Sequence, residues 1–293
     1  MRAGTTKAVF SRATGTLSFL EMDGRVILQD RDGVVHGPRL TVMRALTDND
    51  IWLRGRADAP MKLGYGNIYQ SGLTQLRYHT RSLTAIPGGV RAVVEVQGAK
   101  SAGFTHVADY IFSDDGSFTI KNDVTPYGRM PSALPRLGIS LMLEPGLENF
   151  AWYGRGPWEN YVDRCTGSFI GKWSSTVTEQ YVDYVRPQDN GYKSDVRWAA
   201  LTDAKGAGVR VSGSAPLFVQ ALHHTWEDLE FARHRDKQQR IWNVKPPRAE
   251  TCLNLDLRQL GLGGASCGPK PEAEYIFPIQ REQWSVTFAP EGF

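Results

Sequence analysis

Short runs of β-branched and aromatic residues recur along the whole chain, and many of them alternate between apolar and polar positions. Such an alternation, with a period of two, puts the apolar side chains on one face of an extended strand. The runs are bounded by turn-forming residues, such as the Asp-Gly pair at 23–24, the Gly-Gly pair at 88–89 and the Asp-Asp-Gly triplet at 114–116. The pattern predicts an all-β fold, a large antiparallel β-sandwich with little helix.

The predicted strands begin with a meander at 9–11, 17–20 and 26–28, joined by a Thr-Gly turn and an Asp-Gly turn. Further strands are expected at 73–85, 90–96, 106–112, 117–124, 138–143, 196–201, 209–212, 218–222, 251–257 and 283–288. This number of strands suits two large packed sheets, and no Pro-rich or Ser-rich linker interrupts them. We therefore expect residues 1–293 to form a single domain.

One segment, at 225–233, has the features of a helix. Thr225 is a suitable N-cap, and Asp228 stands three residues later, at the capping-box position that Glu or Gln usually occupies. A short helix is therefore predicted after the strand at 218–222.

The charge balance argues against a nucleic-acid partner. The 293 residues include 34 Lys and Arg against 31 Asp and Glu, and the basic residues are interspersed rather than concentrated in a stripe. No apolar run approaches the ~18 residues of a membrane span, and no apolar signal core follows Met1, so no membrane partner is expected.

Cys165, Cys252 and Cys267 are too few for a disulfide framework, so reduced thiols are expected.

Polar and aromatic residues are densest at 152–164, where Glu159 and Asp163 stand four residues apart. Two carboxyl groups at a suitable separation could act as the acid and base of a glycosidase. Arg155 and Arg164 flank them, however, and carboxylates in a Gly- and Pro-bent loop often satisfy guanidinium groups and free backbone N–H groups. We interpret Glu159 and Asp163, with Asn160, as groups that hold this loop; direct chemistry and glycan contact are the alternatives.

Two other polar segments predict turns. Asp48, Asn49 and Asp50 are short polar residues that favour Asx turns, and 186–191 runs from a Pro to an Asn-Gly tip.

The sequence contains no HExxH, P-loop, GxSxG or zinc-type Cys/His spacing. The glycine cluster at 261–264 lacks the βαβ context of a dinucleotide site. His223, His224 and His234 could be metal ligands, but adjacent residues of a strand point to opposite faces, so we interpret them as structural or surface residues and predict no metal site.

Four segments, in order, closely resemble motifs of the C-terminal domain of the large bacterial β-galactosidases of glycoside hydrolase family 2, often called the small-chain domain. They are 44–51 (RALTDNDI), 152–164 (WYGRGPWENYVDR), 184–191 (YVRPQDNG) and 260–269 (LGLGGASCGP). The resemblance extends over essentially the whole chain. It implies an antiparallel supersandwich of the galactose mutarotase kind, in agreement with the strand pattern. Glu is common in the family at the position of Asp189.

The resemblance also implies what other parts of the enzyme supply. In the family, the catalytic glutamates and the Mg²⁺ and Na⁺ ligands belong to an upstream barrel and neighbouring domains, so no catalytic residue and no cofactor is expected here. The small-chain domain contributes one active-site loop, which here corresponds to Gly263, Gly264, Ser266, Cys267 and Gly268. A family tryptophan that lines the outer sugar subsite falls at Cys267 or Gly268, so this stacking platform is missing.

The predicted partners are β-galactoside sugars and the upstream domains or large subunit of a homo-oligomeric, retaining β-galactosidase. This segment alone is expected to be inactive, with architecture and one loop as its contribution. The alternative is a stand-alone carbohydrate-binding or aldose-mutarotase-like protein that uses the concave face of the sandwich. No spacing of Asp, Glu or His picks out an acid and a base for mutarotation.

Overall fold

The strand architecture comes from a computed structural model that describes residues 1–54, 68–232 and 244–292. Every pair of neighbouring strands in these ranges is antiparallel. The predicted all-β, antiparallel fold class is confirmed. No helix in these ranges is long and apolar enough to cross a membrane.

The strands are β1 (Arg2–Ala3), β2 (Thr6–Ser11), β3 (Thr16–Met22), β4 (Arg25–Gln29), β5 (Arg39–Thr41), β6 (Arg77–Ile86), β7 (Gly89–Gln97), β8 (Gly103–Phe112), β9 (Phe118–Tyr127), β10 (Arg136–Leu143), β11 (Asn149–Gly156), β12 (Phe169–Thr176), β13 (Lys193–Thr202), β14 (Gly208–Leu222), β15 (Thr251–Gln259) and β16 (Glu282–Glu291). The helices are short, namely α1 (Ile51–Arg54), α2 (Ile68–Ser71) and α3 (Trp226–Ala232), and 3-10 turns cover Asp48–Asp50, Thr178–Gln180 and Ala273–Tyr275.

Two sheets make up the fold. Strands β1 to β4 form a four-stranded meander, and the other strands form one large sheet with the main order β12-β11-β13-β14-β16-β9-β8-β7-β6. The large sheet divides at β14, because Gly208–Gly213 of this long strand pair with β16 whereas Phe218–Leu222 pair with β15. The second branch continues from β15 to β10 and then to β5.

A single apolar cluster connects the two sheets and both branches of the large one. It includes Leu20 of β3, Phe118 of β9 and Leu255 of β15, all of them buried. The rings of Phe118 and Phe288 stack with their centroids 4.9 Å apart. Burial of this apolar surface is what holds the two sheets and the two branches together.

The turn residues behave as their chemistry predicts. In the β3–β4 hairpin, Asp23 and Gly24 both have positive φ, at 48° and 77°, as the tight hairpin turn with the right twist requires. Gly116, with φ of 83°, closes the β8–β9 hairpin. At α3, the Thr225 amide donates to Asp228, and the Asp228 amide donates to the Thr225 hydroxyl. The predicted capping box and helix are confirmed; residue 233 lies outside the described residues.

The strand predictions are wrong at a few places. The segments 209–212 and 218–222 belong to one strand, β14, and β6 begins at Arg77 rather than at residue 73. Strands β1, β5, β11 and β12 were not expected, and the first part of the predicted loop at 152–164 belongs to β11. The glycines and Pro157 of 152–164 indicated a bent loop, but Gly154 is required by packing, since a Cβ there would lie 2.8 Å from the Cα of Val196.

Candidate functional site

The four segments of the resemblance meet where the large sheet divides. Pairing of β15 with β14 ends at Asp256–Phe218, and β13 begins on the other side of the same stretch of β14, at Lys193–Val219. The segment 260–269 follows β15, and 184–191 precedes β13. Strand pairing thus brings together residues that are far apart in the sequence.

The segment 260–269, which we call the glycine loop, is clamped by Asp163. The two carboxylate oxygens accept hydrogen bonds from the backbone N–H groups of Leu262, at 2.9 Å, and Gly263, at 2.8 Å. Arg164 donates to the carbonyl oxygen of Gly263. A carboxylate that receives two successive amides fixes the direction of the backbone, so Asp163 and Arg164 set the course of the loop.

Asn49, which lies 214 positions before Gly263 in the sequence, provides a second clamp on the glycine loop. Its amide nitrogen donates to the Gly263 carbonyl at 3.0 Å, and its oxygen accepts from the backbone N–H of Ser266 at 3.2 Å and from its hydroxyl at 2.7 Å. Asp48 accepts a hydrogen bond from Arg186 at 3.1 Å. The segment 44–51 is therefore tied to both the glycine loop and 184–191.

A fully buried ion pair, Arg44–Asp50, lies at the start of the glycine loop. Nη2 of Arg44 is 2.7 Å from Oδ1 of Asp50, and Nη1 donates to the Leu260 carbonyl at 2.7 Å. Burial alone lowers the pKa of Arg44, but the charge and hydrogen bonds of Asp50, together with Asp189 and Tyr161, more than offset this, and the pKa lies above its ordinary value. Arg44 is thus charged, and its bonds to Asp50 and to the Leu260 carbonyl connect 44–51 to the end of β15.

Glu159 joins the segments 152–164 and 184–191. Its carboxylate accepts from the hydroxyl of Tyr184 and, at 2.7 Å, from the backbone N–H of Gly191. Asn160 acts in the same way, since its oxygen accepts from the Ser194 amide at 2.8 Å. Both side chains satisfy donors of a turn that would otherwise lack partners.

Arg155 and Arg164, the arginines that flank Glu159 and Asp163 in the sequence, bind other groups in the structure. Arg155 donates to Asp195 at 2.5 Å and to the Ser168 carbonyl at 2.9 Å, while Arg164 contacts the glycine loop. Glu159 and Asp163 accept from backbone and hydroxyl donors, which is one of the two kinds of partner that the sequence left open; among the described residues, neither Arg155 nor Arg164 is their partner. Arg155 lies two residues beyond the last pair of β11 with β13, Tyr153–Trp198, where its guanidinium reaches Asp195 of β13.

The glycines of the loop have different roles. Gly263 has a positive φ of 63°, and at Gly261 a Cβ would lie 2.9 Å from the Asp163 carboxyl carbon. At Gly264 neither the backbone conformation nor the available space requires glycine, because its φ is not positive and the nearest atom to a Cβ there would be 3.7 Å away. Glycine is therefore required at the clamped base of the loop, at Gly261 for the close approach of Asp163 and at Gly263 for the left-handed backbone.

The tip of the loop is closed by its own backbone. The carbonyl of Gly264 accepts from the amides of Cys267, at 3.1 Å, and Gly268, at 2.6 Å, and the Gly264 amide donates to Pro269. Ser266, Cys267 and Gly268 are exposed, whereas Gly261 at the base is buried. The loop thus presents a turn of fixed shape to the surroundings.

A buried polar network supports the site from inside the sheet. Asp189 accepts from the Tyr161 hydroxyl at 3.0 Å and from Gln220 at 3.1 Å, and Gln220 accepts from Asn254 at 2.7 Å. Burial raises the pKa of Asp189 to about 7, against the opposing effect of Arg44. This carboxyl group therefore carries a proton for part of the time near neutral pH.

The network continues on the other side of β14. Tyr192 donates to Asp256 at 2.5 Å and accepts from Arg136 at 2.5 Å. Burial raises the pKa of Asp256 to about 6. The rings of Tyr161 and Tyr192 lie with centroids 5.9 Å apart and pack against Leu262 of the glycine loop.

The strand pattern did not indicate these network residues. Asn254 and Asp256 occupy the polar positions of an alternating strand, which predicts exposure to solvent, yet both are buried. The sequence signal that could have indicated the network is that Tyr161, Asp189 and Tyr192 lie in or beside the motif segments. In chemical terms, the carboxylates of this site position backbone and hydroxyl groups.

The histidines make individual contacts. His223 lies 2.8 Å from Glu148 and 2.9 Å from the Glu250 carbonyl, and His224 lies 3.1 Å from the Lys245 carbonyl. His234 is outside the described residues. Within the described ranges, no group of three or more His, Cys, Asp or Glu side chains is arranged to hold a metal ion. The three cysteines are free thiols.

Comparison with known proteins gives the same picture for the sequence and the fold. Residues 2–289 match the family described as "Beta galactosidase small chain". Among solved structures, a GalM/aldose epimerase homologue from C. elegans shares the fold, with a TM-score of 0.51, 10% identity and coverage of 99% of this chain and 96% of that chain. The galactose mutarotase-like fold implied by the resemblance is confirmed.

Curated relatives carry the name β-galactosidase. The protein from Priestia megaterium is 31% identical over 232 residues, which cover 78% of this chain and 20% of the relative. Those from Arthrobacter sp. and Halalkalibacterium halodurans are each 28% identical and cover 80% and 94% of this chain. The chain spans 20 to 25% of the length of these three relatives. It belongs to the β-galactosidase small-chain family.

Proposed function

We propose that this chain is the architectural part of a β-galactosidase that hydrolyses terminal β-galactosides with retention. The catalytic glutamates and the Mg²⁺ and Na⁺ ligands would belong to polypeptide outside the chain. The observation that carries the assignment is that 44–51 and 152–164 hold the glycine loop directly, while 184–191 binds both of these segments. Clamps from Asn49, Asp163 and Arg164 are the arrangement needed to present one loop with a fixed shape.

The loop is built to reach another surface. Its base is buried and clamped, and its tip, with Ser266, Cys267 and Gly268, is exposed. The exposed Cys267 thiol, and the Ser266 hydroxyl, which donates to Asn49 but can still accept, suit hydrogen bonding to a sugar, but they provide no aromatic face for stacking. We therefore assign the tip to contact with the leaving group or second sugar, where affinity is modest.

The carboxylates of the site are assigned to structure. Glu159 and Asp163 each accept from two donors, and both sets include backbone amides that keep segments in place. A general acid must be free to give its proton to the leaving-group oxygen. Chemistry by these two groups would require them to release the loop that they hold.

The direct test is hydrolysis of an aryl β-galactoside by this chain with and without the upstream polypeptide or separate large chain. Turnover is expected only for the combination. Hydrolysis by the chain alone would contradict the assignment, and so would a complete assembly that does not hydrolyse β-galactosides. Interconversion of galactose anomers by the chain alone would favour a mutarotase-like protein.

The loop assignment has its own test in the complete enzyme. Cys267→Trp, or Gly268→Trp if the alignment differs by one residue, is expected to lower KM for a disaccharide more than for an aryl galactoside. An aromatic platform typically adds about 1 kcal/mol beyond its buried area, which corresponds to a KM about fivefold lower. Glu272→Trp, at an exposed position after the loop, is the control. Unchanged KM for every substrate would show that the glycine loop does not line the active site.

A further inference from the structure

Exposed apolar side chains are concentrated beside the glycine loop. Of the nine large apolar residues that are exposed among the described residues, six lie between positions 158 and 185. We call these six the apolar patch: Trp158, Phe169, Ile170, Val182, Tyr184 and Val185. The exposed fractions are 71% for Trp158, 70% for Phe169 and 88% for Val185. Contiguous exposed apolar residues are typical of an interaction site, whereas scattered ones are ordinary.

Backbone pairing and a hydrogen bond bring the patch residues together. Phe169, the first residue of β12, pairs with Gly156, two positions before Trp158. Glu159, the residue after Trp158, accepts the hydroxyl of Tyr184. The residues of the patch therefore gather around the turn that begins at Gly156.

The patch also continues into the site. Val185 precedes Arg186, whose guanidinium donates to Asp48, and the next residue, Asn49, holds the glycine loop. A partner that covered the patch would thus lie next to the exposed loop tip.

The edge of the large sheet strengthens the case for a partner. Strand β12 is the last strand on its side of the sheet, and its first two residues, Phe169 and Ile170, are exposed on its two opposite faces, so a partner that covered both would enclose the edge itself. An edge strand presents unpaired backbone N–H and C=O groups, and it tends to pair with another chain unless something covers it. Its neighbour Trp158 is the residue type most often found as an energetic anchor of interfaces.

We propose that the apolar patch is the docking surface for the catalytic part of the same β-galactosidase, either upstream polypeptide or a separate large chain. This inference rests on the proposed function. The relatives extend far beyond the portion that matches this chain, which is only 20 to 25% of their length. The family name, small chain, also implies a larger companion. Docking here would bring the companion's surface up to the glycine loop.

The first experiment labels the protein with hydroxyl radicals, alone and in the complete enzyme. Trp158, Phe169 and Tyr184 are expected to react at least about tenfold more slowly in the complete enzyme, because an interface core is fully desolvated. Val34, exposed outside the patch, is the reference and should react equally in both samples. Equal labelling of the patch in both samples would overturn the inference.

A cross-linking experiment identifies the occupant. A photoreactive amino acid at position 185 of the complete enzyme is expected to cross-link to peptides that are not part of this chain. Cross-links to a second copy of this chain would overturn the inference in favour of a self-interface. Sedimentation of the chain alone shows whether such a self-association exists.

Variants of the patch test its energetic contribution. Trp158→Ser is expected to weaken binding of the catalytic part about 30-fold, as loss of an interface anchor typically does, and Val185→Ser to weaken it less. Val34→Ser is the matched control, and thermal unfolding of each chain shows that the fold is kept. Unchanged binding with Trp158→Ser would contradict the docking inference. The proposed function would still hold in that case if the complete enzyme hydrolyses β-galactosides. A protected patch in an enzyme without that activity would instead contradict the function alone.

Discussion

The strand meander β6 to β9 and the glycine loop are stabilised in different ways. In the meander, partners are close in sequence; the Arg91–Asp109 pair, for example, spans 18 positions. At the glycine loop, the bonds from Arg44 to Leu260 and from Asn49 to Gly263 span 216 and 214 positions. Contacts between distant segments form only when the whole sheet is assembled. The loop should therefore report on the integrity of the complete fold, whereas the meander depends mainly on its own turns.

Electrostatics separates the two regions as well. Arg44 and Asp50 are both 0% exposed, whereas Arg91 is 49% exposed. Removal of one member of a buried pair leaves an uncompensated charge in the interior, but an exposed charge is resolvated by water.

The largest difference is expected between Asp50→Asn and Asp109→Asn. Asp50→Asn should lower the free energy of unfolding by about 3 to 5 kcal/mol, because Arg44 remains charged and buried. Asp109→Asn in the meander should change it far less. Chemical denaturation with matched m-values measures both. Similar losses in the two variants would show that the contrast between the regions is not electrostatic.

The clamp provides the second contrast. Asp163→Ala leaves the amides of Leu262 and Gly263 without their acceptor and should lower the unfolding free energy by about 1 to 3 kcal/mol. Hydrogen exchange at these amides should become much faster. Asp115→Ala, which removes an acceptor of Ser117 in the β8–β9 turn, is the matched variant. Unchanged exchange at Leu262 after Asp163→Ala would mean that the loop holds its shape without the clamp.

The buried network gives the site region a pH dependence of its own. The pKa of Asp189 is raised from 3.8 to about 7, so the folded chain retains a proton that the unfolded chain loses. Stability from this group is present below about pH 4 and is lost as pH rises towards 7, by up to about 1.4 kcal/mol per pH unit. Asp189→Asn should flatten this decline, and Asp32→Asn, at an exposed turn, should not.

Denaturation at a series of pH values measures the effect. Asp256 remains in the variant with a pKa raised to about 6, so a smaller decline is expected to persist. A variant that loses stability with pH as steeply as the original chain would show that Asp189 does not titrate in this range.

The smallest effect is expected for Glu159→Gln, which keeps one acceptor for the Tyr184 hydroxyl or the Gly191 amide. The unfolding free energy should fall by about 1 kcal/mol. Glu272→Gln, at an exposed position, is the control. Unchanged stability together with lost turnover of β-galactosides in the complete enzyme would favour a catalytic role for Glu159.

The sequence predicted the regions whose order is local. Strands β7 to β9, their Gly-containing turns and the capping box of Thr225 and Asp228 follow from periodicity and turn chemistry within about ten residues. The motif segments were also recognisable, but their mutual contacts were not. For Glu159 and Asp163 the sequence left guanidinium groups and backbone donors open as partners, and only the structure shows that the donors come from the backbone and from the Tyr184 hydroxyl.

The sequence by itself determined the all-β class, the turns and the positions of the four motif segments, because these depend on side-chain alternation and residue-specific backbone preferences. The tertiary structure decided that the segments meet at the division of the sheet, that Asn254 and Asp256 are buried, and that Asp163 clamps the glycine loop. Alternation along a strand distinguishes two faces, but it does not show which of them another layer will cover. Burial, and with it the raised pKa of Asp189, therefore arises only when strands far apart in sequence pack together.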